Sequence, residues 1–319
     1  MAKLLRILSL NRAQFILLLV AVSLLKCAII FFPVKLIMPP DLMFERMPDS
    51  TIYDTIAKNL IQGHGFSMSH NLPFTPTMFK EPVYPLFIAA AYYLFGFSVN
   101  HVILLQVFLN SMIAVLIYLI GIEVFDERIA RYAAILVSVI PIFGEISFYI
   151  EAECFCIPPI LLFTLIMIKT FKRDLVCLYA FSGAALGIIA LCRNALYYFP
   201  PVIIILILLG YGKGLCFNLK VSLKRRFVRA AIFLFSFLLI IAPWTIRNIR
   251  QMKSHQISER GGRMLWTQAV MAEELTSREL KSYFLYLVSG HLAQRDNPEF
   301  IGSNFGNFEY RYFGRAPIE

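Results

Sequence analysis

Two acids and a few cations stand where this 319-residue sequence could work on a charged substrate. Asp49 opens the run DSTIYDTIAKNLIQG, and Glu153, with Glu151 as its rival, sits at a turn between two apolar stretches. Lys80 and Glu81 fall in FKEPVYPLF, where two prolines stiffen the chain. Arg193 interrupts an otherwise apolar hairpin from Leu175 to Tyr211, and Arg247 and Arg250 follow directly after Pro243-Trp244. A carboxylate can take the proton of an attacking hydroxyl. A cation can hold a phosphate or stabilise negative charge growing on a leaving group. Each residue also has a plainer role. Asp49 could simply cap a helix, Lys80 and Glu81 could be solvated charges, and Glu151 and Glu153 could be hydrated turn residues. Trp244 reads as an interfacial anchor.

The element that must position these residues is a membrane. The chain is 59% apolar and 16% charged, with a mean hydropathy of +0.69, against about 45–50% apolar and about 25% charged in soluble domains. These values exclude disorder, a nucleic-acid-binding basic domain and a conventional cytosolic enzyme. Apolar runs at 13–33, 101–122, 132–149, 153–171, 175–192 and 228–246, with 195–211 as a seventh, predict an all-α polytopic protein of about seven transmembrane helices. The first run lies behind Lys3, Arg6 and Arg12 without a small-residue cleavage site, and reads as a retained anchor. The net charge of +10 is read as orientation before any affinity for polyanions.

Residues 85–97, PLFIAAAYYLFGF, are short for a crossing and suit an interfacial or re-entrant helix. If they do not cross, the basic N-terminus shares a side with Arg128 and Arg131, with Lys169, Lys172 and Arg173, and with the cluster from Lys213 to Arg229. The positive-inside rule favours this threading, with the N-terminus cytoplasmic and residues 34–100, the Glu151/Glu153 turn, the Arg193 turn and everything after Trp244 exoplasmic. In 34–100, the residues Ile52, Tyr53, Ile56, Ala57, Leu60 and Ile61 share one face of an amphipathic helix expected to lie on the membrane surface, ended by Gly63 and Gly65. Residues 1–250 then form the transmembrane domain and 251–319 a polar exoplasmic segment, with a helix-like stretch around 267–287. The five histidines show no metal-ligand spacing, and Cys154-x-Cys156 reads as helix packing rather than redox chemistry. Lys26, inside the first span, is a default functional candidate that can equally snorkel or pair within the bundle.

Asp49-x-x-x-Tyr53-x-x-x-Ala57, then Gly63-His64-Gly65-Phe66, then Pro82-x-Tyr84-Pro85-Leu86-Phe87 resembles the first exoplasmic loop of GT-C glycosyltransferases. The group it looks most like is glycosyltransferase family 39, with the protein O-mannosyltransferase-like enzymes. Glu153, Leu191-Cys192-Arg193, Pro243-Trp244-x-x-Arg247-Asn248 and Gly261-Gly262 follow in the matching order, so that the resemblance covers about residues 10–265. It implies transfer of a sugar from a polyprenyl-phosphate carrier to an exoplasmic glycan, lipid or protein acceptor at a plasma or inner membrane, with no nucleic acid involved. By the same resemblance Asp49 is the general base and Glu153 the second acid. Lys80 and Arg193, with Arg247 behind them, would contact the carrier phosphate, and Glu81 and Tyr84 belong to the binding motif; a divalent cation is left open. Enzymes of this kind continue into further spans, so the polar 251–319 segment reads as a minimal or C-terminally shortened form. Two other classes compete: a transporter of a lipid-linked or small solute, for which Lys26 speaks, and a non-catalytic membrane subunit.

Overall fold

The computed structural model describes residues 10–37, 48–212, 216–217 and 221–259. Ten α-helices are described: α1 (Arg12–Ile37), α2 (Pro48–Ile61), α3 (Val83–Phe95), α4 (Val99–Val124), α5 (Glu127–Val139), α6 (Ile142–Glu145), α7 (Ala152–Arg173), α8 (Val176–Ala190), α9 (Pro200–Leu208) and α10 (Leu223–Met252). Short 3-10 turns cover Ile146–Phe148 and Asn194–Tyr198, and the described strands are a two-residue antiparallel pair, Tyr211–Gly212 with Cys216–Phe217. The chain divides into two compact units, Met1–Ser258 and Glu259–Glu319. The expected helix around 267–287 and the Gly261-Gly262 motif lie outside the described residues.

The protein is an all-α polytopic membrane protein. Four helices, Arg12–Phe31 within α1, α4, α7 and α10, are long and apolar enough to cross a bilayer. A fifth crossing is available if α5 and Ile142–Phe148 act together, although they are bent by 57° where a straight 132–149 span was expected. Pro141 explains the break, because it has no N–H to continue the helix and disfavours helical geometry at the residue before it. The expected spans at 175–192 and 195–211 become α8, 15 residues long, and a broken helix over Asn194–Leu208. At about 1.5 Å per residue, α8 falls short of the roughly 30 Å hydrocarbon core.

Local chemistry sets several element ends. Asn11 and Gln14 form a reciprocal cap at the start of α1, the Asn11 side chain accepting from the Gln14 amide at 2.9 Å and the Gln14 side chain from the Asn11 amide at 3.3 Å. Asp126 caps α5 by accepting from the amides of Arg128 and Ile129. Inside α7, Pro158 and Pro159 each remove one helical donor. The helix α2 ends at Gly63 and Gly65, both with positive φ, as the sequence predicted. It does not simply lie on a surface, however. Asp54, Thr55 and Asn59 are buried along with Tyr53, Ile56 and Ala57, so protein covers its polar side as well.

The tightest helix pair is α8 with α10. A Cβ placed on Gly183 would fall 2.1 Å from the carbonyl oxygen of Phe233, and one on Gly187 would fall 2.8 Å from Cβ of Ile240. The absence of side chains lets the two backbones touch, as small residues commonly do between membrane helices. Gly183→Ala is expected to push α10 away and cost about 1–3 kcal/mol, read as a lower melting temperature of the detergent-solubilised protein; an unchanged melting temperature would contradict this packing.

Candidate functional site

The site is built where the starts of α2, α3 and α7 meet the turn after α8. Lys80 lies on the strap before α3, with Pro82 immediately preceding the helix. Its side chain is 0% exposed, and its ammonium sits 2.6 Å from Oδ2 of Asp49, whose side chain is 25% exposed. The ammonium also lies over the Tyr53 ring at 4.6 Å and near the Phe79 ring at 5.5 Å. A buried ammonium is tolerated only with a partner, and the first turn of α2 supplies one. The neighbouring Glu81 is also buried, accepting a 2.8 Å hydrogen bond from the Ser258 hydroxyl. Reading these two residues as solvated charges is therefore corrected. The sequence shows two adjacent charges, and only the fold brings Asp49 and Ser258 to them.

Tyr84 belongs to the core rather than to an open surface. Its ring meets Tyr53 edge-on at 4.8 Å, and its hydroxyl donates to Gln106 at 2.6 Å. The Gln106 amide in turn donates to the carbonyls of Ser147 and Tyr149, both at 2.9 Å. Burial pushes the Tyr84 phenol well above its ordinary pKa, which keeps it a donor. About two helical turns along α3, burial and then the bond to Asp54 raise Tyr92 likewise, and its hydroxyl donates to Asp54 at 2.6 Å. Asp54 also pairs with Lys58 at 2.7 Å.

A second acid–cation pair stands beside the first. Arg193 forms an ion pair with Glu153, and their side chains are 42% and 51% exposed. The pair is held by covalent and backbone ties, since Cys156, one turn into α7, is disulfide-bonded to Cys192, next to Arg193. Reading Cys154-x-Cys156 as packing alone holds for Cys154, which is buried and accepts from Asn110 at 3.2 Å, and is corrected for Cys156. The amide of Val83 donates to the Leu191 carbonyl at 3.1 Å, which joins the start of α3 to the Arg193 turn. Ser50 donates to the Ile150 carbonyl at 3.1 Å, which joins the residue after Asp49 to the Glu151–Glu153 turn. Both pairs are thus anchored on one set of helix ends. Glu151 is half-buried at the cap of α7, while Glu153 is the exposed one that meets Arg193.

Arg247 is placed differently. It donates to the Thr77 carbonyl at 2.6 Å, to the Phe66 carbonyl at 3.3 Å and to the Asn248 side chain at 2.9 Å. Its guanidinium also stacks 4.7 Å from the Trp244 ring. It clamps the loop from Phe66 to Thr77, three residues before Lys80. Trp244, read as an interfacial anchor, donates to the Ile257 carbonyl at 2.8 Å and so ties the chain after α10 back onto it. Among the described residues no three His, Cys, Asp or Glu side chains gather as metal ligands.

Sequence reasoning missed three features: the Cys156–Cys192 link, the Asp54–Tyr92 bond, and the polar pair Gln106 and Asn110 inside α4. The last had a usable signal, since two amides at i and i+4 in an apolar span must face partners. The other two depend on which helices become neighbours.

Helices that can cross a bilayer, with two acid–cation pairs gathered at one set of their ends, make this an integral membrane protein with an ionic site at its edge. Residues 76–246, more than half of the chain, match the model of the dolichyl-phosphate-mannose-protein mannosyltransferase family, and the chain belongs to that family. It is accordingly a membrane glycosyltransferase of the GT-C type. No curated protein and no solved structure matches it. The matched segment contains Lys80, Glu81, Tyr84, Glu153 and Arg193, while Asp49 lies before it and Arg247 just after.

Breaking the buried pair by Lys80→Met is expected to destabilise the protein by about 3 kcal/mol, because Asp49 loses its cation and Tyr53 its contact. Combining it with Asp49→Asn should recover much of that loss. Melting temperatures of the two single variants and the double variant form the test, and strictly additive losses would show that the two groups are not coupled.

Proposed function

We propose that the protein transfers a sugar from a polyprenyl-phosphate carrier to an exoplasmic glycan, lipid or protein acceptor, with Asp49 as general base. The observation that carries this reading is the asymmetry of the Asp49–Lys80 pair. The ammonium is closed off from solvent while part of the carboxylate is open, so that the buried cation fixes a carboxylate at the rim of the site. Asp49 takes the proton of the acceptor hydroxyl. The freed oxygen lone pair then forms the bond to the anomeric carbon as the carbon–oxygen bond to the phosphate breaks, and the carrier departs as its monophosphate.

Charge grows on that phosphate as it leaves, and a preorganised cation lowers the barrier. Arg193 is the exposed arginine beside the site, oriented by Glu153, and it is assigned the phosphate. The resemblance assigned Lys80 and Arg247 to the phosphate as well. Their geometry supports positioning roles instead, Lys80 acting on Asp49 and Arg247 on the loop that leads to Lys80. Glu81, on the same strap, and Tyr84, in the first turn of α3, are both buried and would shape the binding motif from within. The exoplasmic placement draws support from the disulfide, since such bonds persist in oxidising compartments. It also draws support from the basic residues Lys172, Arg173, Lys224, Arg225 and Arg229 at the opposite ends of α7 and α10.

The test compares cell-surface glycans, lipids and proteins from cells lacking the gene with those from cells carrying wild-type or variant chains. A sugar lost on deletion should return with the wild type and with neither Asp49→Asn nor the double variant Asp49→Asn/Lys80→Met, which leaves no unpaired ammonium, each compared at equal amounts of folded protein in the membrane. Arg193→Ala should lower transfer by about 10²–10³-fold and weaken binding of polyprenyl phosphate to the purified protein. Full rescue by Asp49→Asn would remove the general-base assignment, and unaltered polyprenyl-phosphate binding by Arg193→Ala would remove the phosphate assignment.

A further inference from the structure

A cavity of about 550 Å3 opens at the ends of α7, α8, α9 and α10 farthest from the candidate site. The distance follows from the helices themselves: α7 runs 22 residues from the Glu153 turn to Arg173, or about 33 Å at 1.5 Å per residue. Nothing in the transfer chemistry uses this end.

The cavity has a charged wall and an apolar wall. Arg225 and Arg229, one turn apart on α10, share the charged wall with Asp174 and the hydroxyl of Tyr179. Arg229 is ion-paired with Asp174, which also accepts from Tyr179 at 3.1 Å. One acid thus faces two arginines, and the wall keeps a positive charge. Arg225 is exposed. Ser222 caps α10 without a side-chain capping bond, so the positive end of a 30-residue helix opens on the same space. The frame is built rather than incidental: the buried Arg226 donates to the carbonyls of Val221 at 2.9 Å and of Leu208 at 3.1 Å, fastening two edges of the cavity to α10.

Phe171 and Ile207 form the apolar wall. Leu175, Val176, Leu209, Leu223 and Phe227, large and exposed, surround the same helix ends. A soluble anion has no use for such a rim, whereas the acyl chains below a lipid headgroup do. The volume lies in the range of small-ligand sites. Under the orientation proposed above this end is cytoplasmic, and acidic lipids of that leaflet are drawn to basic pockets between helices.

We propose that this cavity binds the phosphodiester headgroup of an anionic phospholipid, with Arg225 and the first turn of α10 as its principal contacts. The site is separate from the transfer chemistry: it rests on the orientation proposed above and on the cavity itself, not on the assignment of Asp49 or Arg193.

The test uses the full chain purified in uncharged detergent, with phosphatidylglycerol, phosphatidylcholine and inorganic phosphate as probes. Phosphatidylglycerol should raise the melting temperature and remain bound in native mass spectra, and salt should weaken both effects in the wild type. Arg225→Gln should reduce the apparent affinity about fivefold, while Arg250→Gln, which removes the same charge at the other end of α10, should leave it unchanged. The proposal is overturned if phosphatidylcholine stabilises equally, if inorganic phosphate alone does as much, or if the two variants lose affinity to the same degree. Should Arg225→Gln fail to fold, the salt dependence and lipid preference of the wild type decide alone.

Discussion

A lysine ammonium with no exposed surface has to be answered by an anion, and in this protein that requirement organises the ends of three helices. The answer is Asp49, in the first turn of α2. Meeting it brings the strap of residues 79–82 under α2, turns Tyr53 over the ammonium and sets Tyr53 edge-on to Tyr84. Tyr84 then reaches Gln106 on α4, and Gln106 holds the carbonyls just before α7. A single ionic demand is thus passed through aromatic and amide contacts to the turn that carries Glu153. The bonds from Tyr84 to Gln106 and from Gln106 to the Ser147 carbonyl are short and buried, so each counts for more than a surface pair of the same geometry.

The glycosyltransferase assignment and the geometry meet in how the two acid–cation pairs divide between burial and exposure. Lys80 is sealed and Asp49 part-open, while Glu153 and Arg193 are both open. A base needs fixed position and access to one proton; a phosphate-binding cation needs access and freedom to exchange its carboxylate partner for a ligand. The first pair has the former character and the second the latter. Arg247 lies outside this division, because backbone carbonyls and Asn248 take its hydrogen bonds.

Much of the architecture was legible in the sequence because apolar length and helix punctuation are local. The long runs became α1, α4, α7 and α10, Gly63 and Gly65 ended α2, and the short run after Pro85 became the 13-residue α3. Pro141 in the 132–149 run was a visible break signal. What was not legible depends on distant partners. Lys80 and Glu81 look solvated until Asp49 and Ser258 are brought to them, and Cys156 looks like a packing residue until Cys192 arrives from 36 residues away. The resemblance named residues that the fold gathers at this end of the bundle, and burial separates Lys80, Glu81 and Tyr84 from the more open Asp49, Glu153 and Arg193.

The paired prolines of α7 give the disulfide a mechanical meaning. Without N–H groups at Pro158 and Pro159, the carbonyls of Cys154 and Phe155 receive no helical bond from those positions. The first turn of α7 is therefore spliced to the rest of the helix with two rungs missing, just beyond the acid it carries. The cross-link from Cys156 to Cys192 ties that turn directly to the loop that bears the arginine paired with Glu153. Acid and cation are fastened to each other, so that bending of α7 would carry them as a pair.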